Sequence, residues 1–254
     1  RLSDWVLDER TVSTVVEASV GRVVASTLGV SKAGGIRASL GYPGTPPASL
    51  VLPGGNDAGR TELIVLSTAP ERTRISGELL EKETAQPFAG LEDTTPPGES
   101  GRTYPASTVG PTSIAFAAHG PGLAPARRTY GVASDQGSTA GATPAAAWVV
   151  LPTVLGSPSH PGLVLANPGP ETAEVTLTHL GSGSAEPVVV TVPPGRTATA
   201  PKAFVQAAPE GAVLAVASMG TFVPAAASYS LGREGFATYA VALGVPIPAA
   251  WRPA

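Results

Sequence analysis

Cysteine is absent from this 254-residue sequence, and charged and aromatic residues are scarce. Without cysteine, the chain has no disulfide framework, no thiolate metal site and no cysteine nucleophile. Charged residues make up 14% of the chain, where about a quarter is usual, and the formal net charge is −3. This balance excludes the basic surface of a nucleic-acid binder. No run of about 20 apolar residues occurs, so no membrane-spanning segment is predicted.

Glycine and proline are abundant instead, at 30 and 27 residues. Such a content occurs in disordered chains, but disorder also requires low hydrophobicity. Here 43% of the residues are hydrophobic, and they recur in short runs between turn residues. This pattern predicts an all-β fold of many short strands joined by Gly/Pro turns.

One block of sequence occurs three times. Each copy has a small apolar strand, a glycine, a second β-prone run, a glycine-bearing turn and a long strand, and it closes on Pro-Ala before a large apolar residue. The three glycines, Gly21, Gly120 and Gly220, lie about a hundred residues apart, which is the length of one small β-sandwich. The repeat predicts tandem immunoglobulin-like antiparallel β-sandwich units of about 100 residues. The copies occupy residues 15–50, 113–148 and 213–251.

The positions of the three copies divide the chain into an N-terminal half-unit at 1–49 and two complete units at 50–148 and 149–254. The half-unit is the closing half of a sandwich, which leaves an apolar face and strand edges exposed. Three kinds of completion remain open: an upstream segment, a pairing within this chain, or a neighbouring subunit.

The last unit shows the strand pattern most clearly. Val175, Leu177 and His179 alternate with Thr176, Thr178 and Leu180, as in a strand with one buried face. Asn-Pro-Gly-Pro at 167–170 is typical of a turn. The predicted strands are 162–166, 173–180, 188–192, 197–203, 213–217, 223–231 and 236–243.

The three histidines do not form a catalytic or metal-binding pattern. His119 precedes the repeat glycine at a position where the other copies carry Val20 and Met219. His160 is predicted in a Ser-Pro-Ser-His-Pro-Gly loop and His179 on a strand, without the spacing of a zinc pair. No Gly-x-Ser-x-Gly nucleophile turn occurs. We therefore predict a protein that is not an enzyme, with no catalytic residues, cofactor or metal.

Two other features could carry a ligand. The acidic stretch between Glu78 and Glu99 lacks a calcium-loop pattern and is interleaved with basic residues, which favours a solvated insertion. Trp148 and Trp251 occupy one repeat position, which favours a structural plug at the unit boundary over a sugar-stacking platform. The Gly/Ser-rich stretches at 98–101 and 181–184 are predicted to be connecting loops.

The segment GLVLANPGPETAEVTLTHLG at 162–181, the apolar opening at 148–152 and VTVPPGR at 190–196 resemble a family of uncharacterised exported actinobacterial proteins, the domain of unknown function family 5719. The resemblance covers residues 148–251 well and the earlier units loosely. The family usually has cysteine-proline after the opening aromatic, where this chain has Val-Val-Leu. The resemblance implies tandem β-sandwiches and a secreted or cell-envelope location, and it supplies no catalytic residues.

Together these features favour a non-enzymatic secreted or cell-surface structural protein: a spacer, coat or filament subunit. Its expected partners are further copies of itself or neighbouring envelope proteins, because a weakly charged surface favours association. The alternative is an extracellular module that binds a glycan or a protein through the acidic loop between Glu78 and Glu99.

Overall fold

The computed structural model describes residues 16–20, 26–30, 36–42, 44–54, 60–67, 70–91, 101–108, 110–120, 122–130, 136–151, 159–181, 186–208, 211–231 and 237–251. In these ranges the protein is all-β, as predicted, apart from the short helix α1 (Lys202–Ala207) and a 3₁₀ turn at Ala249–Trp251. No helix among the described residues is long and apolar enough to cross a bilayer.

The strands form a two-stranded hairpin followed by two pairs of antiparallel sheets. The hairpin contains β1 (Ser26–Val30) and β2 (Ile36–Leu40). The strands of the first pair are β3 (Ser49–Leu52), β4 (Arg60–Ser67), β5 (Ile75–Leu80), β6 (Ala85–Pro87), β7 (Gly101–Ala106), β8 (Ser113–Ala118), β9 (Leu123–Tyr130) and β10 (Gln136–Ala140). Those of the second pair are β11 (Ala147–Val150), β12 (Ser159–Asn167), β13 (Ala173–Leu180), β14 (Val188–Val192), β15 (Arg196–Thr199), β16 (Ala212–Met219), β17 (Val223–Leu231), β18 (Ala237–Leu243) and β19 (Val245–Pro246).

The two pairs of sheets have the same strand order. The first pair contains the sheets β3-β8-β5-β6 and β10-β9-β4-β7. The second pair contains β11-β16-β13-β14, extended by β19 at the edge next to β11, and β18-β17-β12-β15. The sequence repeat therefore corresponds to a repeat of topology.

Most strands predicted in the last unit are confirmed within a few residues. The prediction for 197–203 is wrong in its second half, because β15 ends at Thr199 and α1 begins at Lys202. Pro201 at the N-cap explains the change. Proline has no N–H to donate to a strand ladder, and it is tolerated at the start of a helix.

The repeat glycines that the structure describes occupy corresponding turns. Gly120 lies between β8 and β9, and Gly220 lies between β16 and β17 with a φ of 76°. A side chain at Gly220 would be strained by this backbone conformation and would approach the carbonyl of Thr172 to 3.0 Å. Gly21 falls outside the described residues.

The hairpin of the half-unit corresponds to the hairpins β9–β10 and β17–β18. In each of the three, the innermost partners are six residues apart in the sequence: Val30↔Ile36, Tyr130↔Gln136 and Leu231↔Ala237. The second strands of these hairpins, β2, β10 and β18, lie against one another. The hairpin thus packs against its two counterparts, while the completion of the half-unit at 1–49 stays a prediction.

Each pair of sheets encloses an apolar core, formed by residues that alternate inward along the strands and by Phe88, Leu91 and Phe222 from the connecting segments. The core of the first pair contains Leu52, Leu63, Val65, Ile75, Leu79, Phe88, Leu91, Tyr104, Ile114, Phe116, Ala118 and Leu123. The core of the second pair centres on Trp148, Leu165, Val175, Leu177, Ala215, Phe222 and Val223.

The junction between the pairs is made by hydrogen bonds and apolar contacts. The Thr197 side chain donates to the carbonyl of Leu80 at 2.7 Å, and its backbone N–H donates to that of Glu81 at 3.0 Å. Val51 exchanges two backbone hydrogen bonds with Ala142, each 2.9 Å long.

The predicted unit boundary at 148/149 falls inside β11, and the strands that pair with β11 belong to the second pair of sheets. The division into units at 50–148 and 149–254 stays a prediction.

Tyr42 connects the segment after β2 to the first pair of sheets. Its hydroxyl donates to the carbonyl of Pro125 at 2.7 Å and accepts from the N–H of Gly141 at 2.6 Å. Burial raises the pKa of Tyr42 to about 12, against the lowering effect of the Gly141 hydrogen bond. The neutral phenol is therefore the form that fits this position.

This shift predicts a loss of stability at alkaline pH. Because the folded pKa lies above the unfolded value of 10.0, the contribution of Tyr42 is complete below about pH 10 and is lost as the pH rises to about 12. The expected decrease in the free energy of unfolding is about 2–3 kcal/mol, measured by urea denaturation across that window. Tyr42→Phe should flatten the profile, while the raised pKa of Tyr104, caused first by burial, affects both proteins equally. Parallel profiles would contradict the assignment.

Candidate functional site

The three histidines lie on three different parts of the fold. His119 is exposed in the turn after β8, and its backbone N–H donates to the carbonyl of Arg74 at 2.9 Å. The prediction of a loop at His160 is wrong, because His160 lies in β12 opposite Tyr229. His179 lies on β13 and is buried, as the alternation with Val175 predicts.

The acidic stretch forms a turn at the junction between the two pairs of sheets. The carboxylate of Glu81 accepts from the Thr84 hydroxyl at 2.9 Å and from the Gln86 amide at 3.3 Å. Lys82 and Glu83 form an exposed ion pair at 3.5 Å, which contributes little. Among the described residues, no three histidine or acidic side chains form a metal-binding cluster. Residues 92–100 lie outside the described part of the chain, and ligand binding by this loop stays a prediction.

The two repeat tryptophans have opposite environments. Trp148 is fully buried, and its indole N–H donates to the carbonyls of Ala145 at 3.0 Å and Phe222 at 2.9 Å. Trp251 is 78% exposed. Trp148 is therefore a core residue of the second pair of sheets, and the role of a structural plug at a unit boundary stays a prediction. The predicted connecting loops at 98–101 and 181–184 fall almost wholly outside the described residues.

Sequence reasoning missed a buried arginine in the first pair of sheets. The Nε of Arg127 donates to the hydroxyls of Thr61 at 2.9 Å and Thr129 at 3.2 Å, and its Nη1 donates to the carbonyl of Thr112. Gly54 leaves space for the guanidinium, since a Cβ there would lie 2.1 Å from Cζ. The period of two along β9, in which Leu123 also points inward, is the signal that could have identified it.

A cavity beside α1 is the best candidate for a ligand site. It lies in the second pair of sheets, has a volume of about 30 Å³, and is lined by apolar side chains and glycines with the exception of His179. The histidine ring stacks on Phe204, with the ring centroids 4.1 Å apart.

The predicted turn at 167–170 follows the end of β12. The side-chain oxygen of Asn167 accepts a hydrogen bond from the backbone N–H of Gly169 at 2.9 Å.

Among the described residues that line the cavity, none is a serine, threonine or acidic residue that could act together with His179. His179 is its one titratable side chain among the described residues, and general acid–base chemistry with a nucleophile requires a partner within hydrogen-bond reach. What this geometry can do chemically is bind a small, mainly apolar group.

No protein-family model matches the chain, and no curated protein is significantly similar to it. The resemblance of residues 148–251 to the exported actinobacterial family therefore stays a prediction from the quoted segments.

Proposed function

We propose that this chain is a non-enzymatic structural protein, secreted or held at the cell envelope, that assembles by stacking sandwich units head to tail. The secreted or envelope location rests on the family resemblance. The stacking rests on one observation: a sheet face that is covered in the first pair of sheets is open in the second.

In the first pair, the outer face of the sheet β3-β8-β5-β6 packs against the second pair. Val51 and Leu80 on this face are buried and belong to the apolar core of the second pair, and Ala115 packs against that core. The two hydrogen bonds from Thr197 lie at the same contact. This surface is a complete interface within the chain.

The corresponding face of the second pair has the same apolar character. Val149 pairs with Leu214 as Val51 pairs with Ala115, and Leu180 ends β13 as Leu80 ends β5. Leu180 is 43% exposed, and Val189 on β14 is 65% exposed. Glu174 is the one charged residue on β13. An open apolar face in a weakly charged chain favours docking of another protein surface.

The occupant we propose is a second copy of this chain. The equivalent face of the first pair has a partner surface inside the molecule. Because the two pairs of sheets have one topology, the same contact can be repeated between copies. Because donor and acceptor surfaces differ, the contact is heterologous and produces an open filament unless its rotation closes a ring.

The immunoglobulin-like assignment of each unit is part of this proposal. The neighbours β4–β7 and β5–β8 correspond to the B–E and C–F strand pairs of immunoglobulin sheets. The first and last strands are exchanged between the two sheets relative to an immunoglobulin domain. Here β3 lies next to β8, in the place of the last immunoglobulin strand, and β9 lies next to β4, in the place of the first immunoglobulin strand.

Assembly predicts concentration-dependent association that charge on the open face prevents. Leu180→Lys and Val189→Lys should each weaken association at least about tenfold, because a lysine would be desolvated at the contact. Analytical ultracentrifugation measures the association, and electron microscopy shows whether the product is a filament or a ring. Glu71→Lys, at an exposed position in the turn before β5 of the first pair, is the control and should associate like the wild type. A wild type that stays monomeric at high concentration, or face variants that associate normally, would contradict the proposal.

A further inference from the structure

The contact between the two pairs of sheets involves the outer face of β18-β17-β12-β15. Thr197 lies opposite Ala166 in the pairing of β15 with β12, so the two side chains share one face of this sheet. The Thr197 hydroxyl donates to the carbonyl of Leu80 in the first pair, at 2.7 Å. Leu163, on the other face, lines the cavity inside the second pair. The face that carries Thr197 is therefore the one that meets the first pair.

This outer face of the second pair is apolar and covered. The inner face of β12 and β17 packs on the opposite sheet of its own pair, so burial of their outer face requires a further layer. The outer side chains of these strands are at most 1% exposed: Val164, Ala166, Val223, Ala225 and Ala227. Ala166 and Val223 belong to the same apolar cluster as Val51 and Leu80 of the first pair. The first pair therefore acts as the covering layer.

The first pair of sheets has the equivalent face on β10-β9-β4-β7. The two sheets have the same strand order, and Leu63 on β4 points into the core of the first pair as Leu163 on β12 points into that of the second. The next residues along β4 point outward, and the register of β4 with β9 places two alanines beside them. These outer residues are Ile64, Leu66, Ala124 and Ala126, and all four are half-buried. A surface that is sealed in the second pair is thus accessible in the first.

The two ends of this face differ. At one end, Glu62 and Arg128 lie opposite each other on β4 and β9 and form an ion pair, with Oε2 and Nη1 3.4 Å apart. At the other end, Leu66 corresponds to Ala166, which lies opposite Thr197 at the internal contact. The apolar part of the face is therefore the part that a repeat of the internal contact requires.

The internal contact joins two surfaces, and each has a more accessible counterpart elsewhere in the chain. The counterpart of the first surface is the open face of the second pair, where Leu180 is 43% and Val189 is 65% exposed. The counterpart of the second surface is the outer face of the first pair, where Ala124 and Ala126 are half-buried. Two copies can therefore form the contact that the two pairs of sheets form within one chain.

We propose that the open face of β11-β16-β13-β14 in one copy docks on the outer face of β10-β9-β4-β7 in the next copy, which is the acceptor face. The inference rests on the stacking of copies proposed above and names the second surface of that contact. Leu180 and Val189 pack on the apolar part of the acceptor face, where the small side chains of Ala124 and Ala126 let the two sheets approach closely. Since the two surfaces differ, each new contact leaves one surface of each kind for further copies.

Charge on the acceptor face should block association as charge on the open face does. Ala124→Lys and Ala126→Lys should each weaken association at least about tenfold in sedimentation experiments, because the lysine would be desolvated at the contact. Ala89→Lys makes the same chemical change in an exposed turn after β6 and should associate like the wild type. Circular dichroism shows whether each variant is folded. If the two folded acceptor-face variants associate normally while Leu180→Lys stays monomeric, the acceptor face is wrongly assigned and the stacking proposal stands.

A mixture of two blocked variants tests which surfaces meet. Leu180→Lys keeps an intact acceptor face and Ala126→Lys keeps an intact open face, so neither should associate alone. Together they should form a dimer with one copy of each and no larger assembly, which native mass spectrometry detects when one variant carries ¹⁵N. A mixture that stays monomeric would overturn the inference, as would dimers of Ala126→Lys alone, which would show that two open faces bind each other.

Discussion

Trp148→Ala should lower the free energy of unfolding by about 3–5 kcal/mol, as large-to-small substitutions of buried aromatic residues do. Trp148 is one of the largest fully buried side chains of the protein, and its ring packs on Phe222 with the centroids 6.5 Å apart. The substitution also removes the donor to two carbonyls, that of Ala145 just before β11 and that of Phe222 between β16 and β17. Chemical denaturation followed by circular dichroism measures the change.

Trp251→Ala is the matched control, because it makes the same chemical change at the corresponding repeat position. Trp251 is 78% exposed, so its removal should change stability by no more than about 0.5 kcal/mol. The difference between the two variants tests whether burial, and not the identity of the residue, determines the effect. Equal losses would contradict the structural role assigned to Trp148.

Arg127→Ala should lower the free energy of unfolding by about 3 kcal/mol or more, because the buried guanidinium makes several charge-assisted hydrogen bonds whose acceptors would lose their donor. The acceptors are the hydroxyls of Thr61 and Thr129 and the carbonyl of Thr112. In Gly54→Ala, the new methyl would overlap the guanidinium, with a cost of about 1–3 kcal/mol.

A double-mutant cycle separates this contact from other causes. In the Arg127→Ala background the guanidinium is absent, so Gly54→Ala should cost almost nothing. The expected coupling is about 1 kcal/mol or more. Additive effects of the two substitutions would show that the glycine is required for another reason.

The strand pattern was predictable because it depends on local rules. Along β13 a strict period of two puts Val175, Leu177 and His179 on the inner face, and this alternation predicts both the strand and its buried face. In the repeat, residues 72–80 correspond to residues 172–180, and this correspondence indicates a strand at β5, although Ile75 begins a stretch rich in Glu, Leu and Lys that favours a helix. Comparison of the copies was more informative there than local propensity.

The candidate cavity was not predictable, because it depends on residues distant in the sequence. The sequence predicts that His179 is buried, but not that its Nε2 lies 2.8 Å from the carbonyl oxygen of Phe204 or that the residue lines a cavity. The predicted strand at 197–203 overlaps the start of α1, the helix that provides Phe204. In the same way, the alternation along β9 indicates that Arg127 points inward, while its partners come from other strands.

The junction between the two pairs of sheets has a mechanical consequence. Only residues 141–146 connect β10 to β11, and Ala142 and Ala145 within this segment are themselves hydrogen-bonded to Val51 and Phe222. The connecting segment therefore cannot extend far. A force that stretches the chain is transmitted directly to the hydrogen bonds of Val51 and Thr197. Under load, we expect the two pairs of sheets to stay joined up to a threshold force, without gradual lengthening at the junction.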